Sequence, residues 1–185
     1  TKVIIDEANR LRDLGDRMLG SSDVVKHEEV NVHVVLERVR QLVKAEALDR
    51  ITVCTDYDPS IPDLVCDKDQ LIQAILNIVK NATQAIEGEG DVVLKTRIHR
   101  NFIIGEMNFK LGIKVDIIDN GPGIKGDMQE TVFYPMVTTK ADGTGLGLSI
   151  AQTNVQRHKG LIELTSEPGK TVFSVILPFG VEYGR

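Results

Sequence analysis

Two long runs of strand-forming residues, Asp91 to Ile104 and Phe109 to Ile118, are separated only by Gly105-Glu106-Met107-Asn108. So short a glycine-containing link reads as a hairpin turn, which makes the two runs antiparallel neighbours in one sheet. Around them helices and strands alternate. Val30 to Val32 and Ile51 to Tyr57 read as strands, the second closed by Asp58-Pro59-Ser60-Ile61-Pro62, and His33 to Leu48 reads as an amphipathic helix. Asp67 followed by Gln70 is a capping-box signature. It opens a helix that runs to Glu87 and stops before Gly88 and Gly90. A further helix, Leu146 to Arg157, precedes strands at Leu161 to Thr165 and Thr171 to Leu177. Helices mixed with consecutive hairpin strands point to an α+β fold, a two-layer α/β sandwich, in preference to a doubly wound parallel sheet.

The first twenty residues carry Ile4, Ala8, Leu11, Gly15 and Met18 at spacings of four and three, the seam of a helix too short to hold alone. It is expected to pack on something outside this chain. A polar stretch from Ser21 follows, so the expected units are residues 1–24 and 25–185. The net charge of −5 argues against a nucleic-acid footprint, and 42% apolar with 26% charged residues is the balance of a chain that buries one core. No apolar run approaches the ~18 residues of a membrane span, and no signal-peptide pattern opens the sequence. Cys54 and Cys66 lack CxxC spacing, which argues against a zinc site or a disulfide framework. A reducing cytoplasm is the expected location.

Three segments carry chemistry. On the helix from Gln70 to Glu87, Ile72, Ile75, Leu76, Val79 and Ile86 form the expected buried stripe, while Gln73, Asn77, Asn81 and Gln84 share another arc. Asn is a weak helix former, so two in mid-helix are not explained by stability, although a plain solvated face would look the same. The second segment, Asp119-Asn120-Gly121-Pro122-Gly123, stands where the apolar strand runs out. A carboxylate there can accept from an exocyclic amino group, and the glycines let backbone approach a flat ring; a simple turn is the alternative reading. The third is Gly143-Thr144-Gly145-Leu146-Gly147-Leu148, leading straight into a helix. Its backbone N–H groups and the positive helix end suit a phosphate. It matches neither GxGxxG, which fails at Leu148, nor the Walker A pattern. Six of the sixteen glycines crowd between residues 121 and 147, which predicts a mobile lid with Phe133-Tyr134-Pro135-Met136 as its apolar anchor.

The order Asn77-x-x-x-Asn81-Ala82, Asp119-x-Gly121-x-Gly123, Phe133-x-Pro135 and Gly143-x-Gly145-x-Gly147 resembles the N, G1, F and G2 boxes of two-component sensor histidine kinases. The likeness covers about residues 30 to 178. Asp56-Tyr57-Asp58-Pro59 and Phe133-Tyr134-Pro135-Met136-Val137 further resemble the nitrogen-regulation kinases of the NtrB type. The resemblance implies a Bergerat-type ATP-binding fold, preceded in residues 1–24 by the second helix of the dimerisation and phosphoacceptor hairpin.

It also implies ATP and Mg2+ as ligands. Asn81 would ligate magnesium, Asn77 would support phosphates or metal, and Asp119 would bind the adenine amino group. Gly121 and Gly123 would line the base, Gly143, Gly145 and Gly147 would face the phosphates, and Phe133, Thr144 and Leu146 would complete the nucleotide surroundings. Thr171 would reach the adenine side through water, and Lys140 would join Asn77 as a catalytic contact to the transferring phosphate, a solvated lysine being the alternative. The implied partners are a phosphoacceptor helix of the kinase dimer, a response regulator and a small regulatory signalling protein, with no nucleic acid and no membrane contact.

Three departures stand out: Lys170 where the family often has glycine, Met136 in place of an aromatic, and no phosphoacceptor motif. His27-Glu28-Glu29-Val30 begins like that motif but continues Asn31-Val32-His33. The sequence thus reads as the catalytic part of a kinase. The competing readings are an ATP-hydrolysing protein of the gyrase and chaperone type, disfavoured because Asn77 occupies the place of its general-base Glu, and a non-catalytic nucleotide sensor.

Overall fold

The protein is described by a computed structural model that covers residues 26–46, 50–137 and 144–180. The expected helix in residues 1–24, Lys140 and Gly143 lie outside the described residues. The elements in chain order are β1 (Glu28–Val30), α1 (Val32–Glu46), β2 (Ile51–Asp56), β3 (Leu64–Cys66), α2 (Lys68–Ala85), β4 (Gly90–Ile104), β5 (Met107–Asp119), α3 (Gly126–Gln129), α4 (Gly147–Arg157), β6 (Leu161–Glu167) and β7 (Lys170–Pro178).

Five strands form one sheet in the order β2-β4-β5-β7-β6, with β2 and β4 parallel and every other pair antiparallel. The β4–β5 hairpin closes tighter than its sequence suggests. Ile104 pairs with Met107, so Gly105 and Glu106 alone turn the chain, and Gly105 takes φ 61°, where a side chain would be strained. β1 and β3 pair separately. β3 escaped the sequence reading because three residues are too few to show an alternation, and the predicted Val30–Val32 strand sits at Glu28–Val30 because Val32 already belongs to α1.

Alternation along the strands sends Val92 and Leu94 of β4, Ile113, Val115 and Ile117 of β5, and Phe173, Val175 and Leu177 of β7 into one core with the helices. The opposite sheet face carries polar pairs: Arg97 reaches both carboxylate oxygens of Asp56 at 2.8 and 2.7 Å, and Ser174 donates to Asp116 at 2.6 Å. One helix layer on one face of the sheet is the expected two-layer sandwich.

The buried stripe of α2 is rotated from the predicted one. Leu71, Ala74, Ile75, Ile78, Val79 and Ala82 are buried, while Ile72 and Leu76 are only partly so. α2 touches both α1 and α4 as well as the sheet, and its apolar face is set by all three. The capping box is half made: Asp67 accepts from the Gln70 N–H at 3.0 Å, but the Asp67 N–H goes to His158 Nε2 at 2.9 Å rather than to the Gln70 side chain.

Candidate functional site

The site is built where α2, the end of β5, the start of α4 and the start of β7 come together. Asn77 and Asn81 stand half-buried on α2, with Gln73 and Gln84 exposed on the same side. Asn77 faces the start of α4: a Cβ added to Gly147 would lie 3.8 Å from Asn77 Cβ and 3.9 Å from Asn77 Cγ. No side chain caps the N-terminus of α4, whose Ncap is Leu146, so the first N–H groups of an eleven-residue helix have no intrahelical acceptor and no side-chain cap. Thr144 approaches only the Leu146 N–H, at 3.5 Å.

Asp119 ends β5, buried, with Oδ1 accepting the Gly121 N–H at 2.9 Å. Gly121 has a local reason to be glycine, since its Cβ would stand 2.8 Å from Asp119 Oδ1. Gly123 has φ 85°, and its Cβ would meet the Glu167 carbonyl at 2.8 Å. These two glycines therefore also serve the packing of the loop against the β6–β7 turn, where the Gly169 N–H donates to the Gly121 carbonyl at 2.9 Å.

Thr171 lies directly across from Asp119 in the β5–β7 ladder, and Ser166 lies across from Thr171 in the next. The hydroxyls of Thr171 and Ser166 are 2.8 Å apart, and Ser166 Oγ accepts the Ile124 N–H at 2.8 Å. Ser166 was missed in the sequence. Its only signal was its position near the end of a predicted strand.

The predicted four-residue lid anchor is reduced to one ring. Phe133 packs edge-on against Phe173 at 6.1 Å beside buried Val132, whereas Tyr134 and Met136 are 61% and 76% exposed and Pro135 is exposed as well. A tight turn in residues 131–137, with Met136 at φ 66°, lets a single side chain of the four face inward. Gly145 docks on this turn: its carbonyl accepts the Met136 N–H at 3.0 Å, and a Cβ on it would stand 2.6 Å from Met136 C.

Asn154 is the second residue missed. Buried on α4, it donates from Nδ2 to the Gln70 carbonyl at 3.2 Å and to Gln73 Oε1 at 2.9 Å. Asn within a helix was the same signal that singled out Asn77 and Asn81.

A cleft of about 900 Å³ lies elsewhere, lined by His33, Glu37, Arg40 and Tyr57 among others. Glu37, Arg40 and Tyr57 there bond one another. Arg40 holds the Glu37 carboxyl below its usual range, and burial, with the Glu37 carboxylate, pushes the Tyr57 phenol up. Among the described residues no group of three or more His, Cys, Asp or Glu could hold a metal. No described helix is long and apolar enough to cross a membrane.

An amide helix face, a carboxylate at a strand end and an uncapped helix N-terminus meet in a fold of the histidine kinase-, DNA gyrase B- and HSP90-like ATPase family, to which the chain belongs, its pattern matching residues 66–181. Within it the chain is similar to the sensory histidine kinase/phosphatase NtrB of Klebsiella oxytoca, 48% identical over 96% of this chain and 51% of that protein. NtrB of Azospirillum brasilense is 39% identical over 96% of this chain and 46% of that protein. The chain thus spans about half the length of the curated relatives it matches. Among solved structures it shares its fold with full-length ShkA in complex with AMPPNP, with a TM-score of 0.77 and 23% identity over 97% of this chain and 38% of that one.

Proposed function

We propose that this chain is the ATP-binding catalytic part of a cytoplasmic sensor histidine kinase of the nitrogen-regulation type. It would transfer the γ-phosphoryl group of ATP to a histidine on an upstream helix, for relay to an aspartate of a response regulator. The observation that carries the proposal is the meeting of Gly147 with Asn77, which sets the uncapped N-terminus of α4 against the amide face of α2.

The residues suit the ligands. Asn81 offers magnesium a hard amide oxygen, and Mg2+ takes most of its remaining ligands from phosphates and water, so the lack of a carboxylate cage among the described residues fits this ion. When bound it neutralises phosphate charge. Asn77 and the N–H groups behind Gly145, Leu146 and Gly147 hold the phosphates, with Gly143, Thr144 and Lys140 assigned to the same loop from the family pattern. Asp119, with Thr171 opposite and Gly121 and Gly123 beside it, receives the adenine, and Phe133 holds the lid turn to the core.

In the transfer itself a histidine nitrogen forms the new bond to the γ-phosphorus while the bond to the bridging oxygen breaks and ADP leaves. Catalysis here is positioning and charge neutralisation. Asn77 cannot take a proton from water, so hydrolysis should be slow beside transfer. Residues 1–24 would belong to the hairpin that carries the acceptor, and a response regulator and a small regulatory signalling protein would be the partners.

The test mixes this chain with a histidine-bearing dimerisation hairpin of an NtrB relative and γ-labelled ATP. Acid-labile, base-stable label on the hairpin is the expected result. ATP consumed with no label on the hairpin would favour a hydrolase instead, and ATP bound without either outcome would favour a sensor.

A further inference from the structure

We infer that Asn154 is a positioning residue for phosphate binding: it sets the register of α4 along α2, and so the placement of the α4 N-terminus beside Asn77. The inference rests on the nucleotide-site reading above.

Three contacts form an antiparallel ladder between the two helices. At one end Gly147 abuts Asn77. Two turns along α4, on the same face, Asn154 donates to the Gln70 carbonyl and to Gln73 Oε1. One turn further, His158 donates from Nδ1 to the Asn154 carbonyl at 2.6 Å and accepts the Asp67 N–H on Nε2 at 2.9 Å. In that geometry Nδ1 is the donor and Nε2 the acceptor of the ring. Moving up α4 from 147 to 158 moves down α2 from 77 to 67, so each rung fixes the others.

Stability does not explain these residues. Asn154 is only 5% exposed, and an apolar side chain of its size would suit both the helix and the interface better. The ladder even tolerates Gln70 Oε1, a buried oxygen without a hydrogen-bond partner. A buried polar pairing that fixes register, as a single buried Asn does in coiled coils, accounts for them instead. Register matters here because one residue of slip along a helix is about 1.5 Å, enough to take the α4 N-terminus off Asn77. Asp119 and Thr171 stand on the sheet, outside the ladder, so the adenine end is not moved by it.

The test compares the chain with Asn154→Leu and Gln73→Ala by calorimetric titration with Mg-ATP and with adenosine, alongside thermal unfolding. Loss of the Asn154 amide leaves no buried orphan, because Gln73 is exposed and the Gln70 carbonyl lies within α2. The expected result for Asn154→Leu is Mg-ATP affinity down about fivefold to twentyfold, adenosine affinity within about twofold and an unfolding temperature no lower than the parent's. Gln73→Ala should lose less in the same direction, and the double variant should be no worse than Asn154→Leu alone. Mg-ATP and adenosine affinities that stay at parent values, or fall together with the unfolding temperature, would overturn the positioning role while leaving the nucleotide site intact. Should Asn154→Leu not fold, the ratio of the two affinities in Gln73→Ala decides: a shift supports the inference and an unchanged ratio overturns it. A parent that binds no Mg-ATP overturns both the reading and the inference.

Discussion

Gly147 of α4 approaches Asn77 of α2 so that a methyl group added to the glycine would make ordinary contact, 3.8 Å from Asn77 Cβ. Gly145, two residues earlier, has no such room: its φ is 65°, and a Cβ would lie 2.6 to 2.8 Å from the backbone of Met136 and Val137. The two glycines should therefore respond differently to alanine. Gly147→Ala should fold with unchanged or slightly higher stability, since alanine is the better helix former by up to about 1 kcal/mol, and should weaken Mg-ATP binding. Gly145→Ala should release the turn at Phe133–Val137, the left-handed backbone alone costing about 1 kcal/mol. Thermal unfolding and amide hydrogen exchange over residues 131–137 separate the two; equal exchange in both variants would contradict the docking role of Gly145.

Asp119→Asn keeps an oxygen to accept the Gly121 N–H, so the loop should stay folded. What it loses is a charged acceptor for an exocyclic amino group, about 1.5–3 kcal/mol. ATP affinity should fall roughly tenfold to a hundredfold on that scale. The parent should discriminate against GTP, which presents a carbonyl to the carboxylate. Equal titration of ATP and GTP by the parent would remove Asp119 from base recognition.

Asn81→Ala truncates a half-buried side chain outside the buried stripe of α2, leaving no core cavity and a better helix former in place. Stability should hold or rise while the magnesium dependence of nucleotide binding disappears. The measurement is ATP titration with and without Mg2+ beside a melting curve. A sharply lower melting temperature would make Asn81 a structural residue.

His33 supplies a pH dependence. Its ring stacks on Tyr57 at 4.7 Å, and Nε2 lies 3.0 Å from Oγ1 of fully buried Thr96, which also accepts the Asp58 N–H. A neutral ring can accept the Thr96 hydroxyl proton there; a charged one would leave that proton without a partner. Burial holds His33 below its ordinary 6.5, against the pull of Asp58. The folded state thus binds this proton less readily than the unfolded chain. Its share of stability is complete above 6.5 and is lost as pH falls through the folded value. Urea unfolding of the parent and of His33→Gln at about pH 7.5 and about pH 5.5 should show a smaller loss on acidification in the variant. Identical losses would place the titration on other groups.

What the sequence determined by itself was carried by runs of neighbouring residues long enough to show a pattern. The strand-forming runs in residues 91–118 and the glycine link between them specify the hairpin, helical spacing specifies α1 and α2, and the four short motifs specify the family. Their signals are local, because backbone propensity and side-chain direction repeat within a few residues. The tertiary structure decided the rest. Which face of α2 is deepest, with Leu71 and Ile78 central and Ile72 and Leu76 at its margin, depends on packing against α1, α4 and the sheet together. That Thr171 faces Asp119 follows from strand order and register, which no single strand encodes. Asn154 reads in the sequence as one more polar helix residue. It becomes a tie between α4 and α2 only because folding brings Gln70 and Gln73, more than eighty residues away in the chain, within hydrogen-bonding distance of a side chain that can satisfy both.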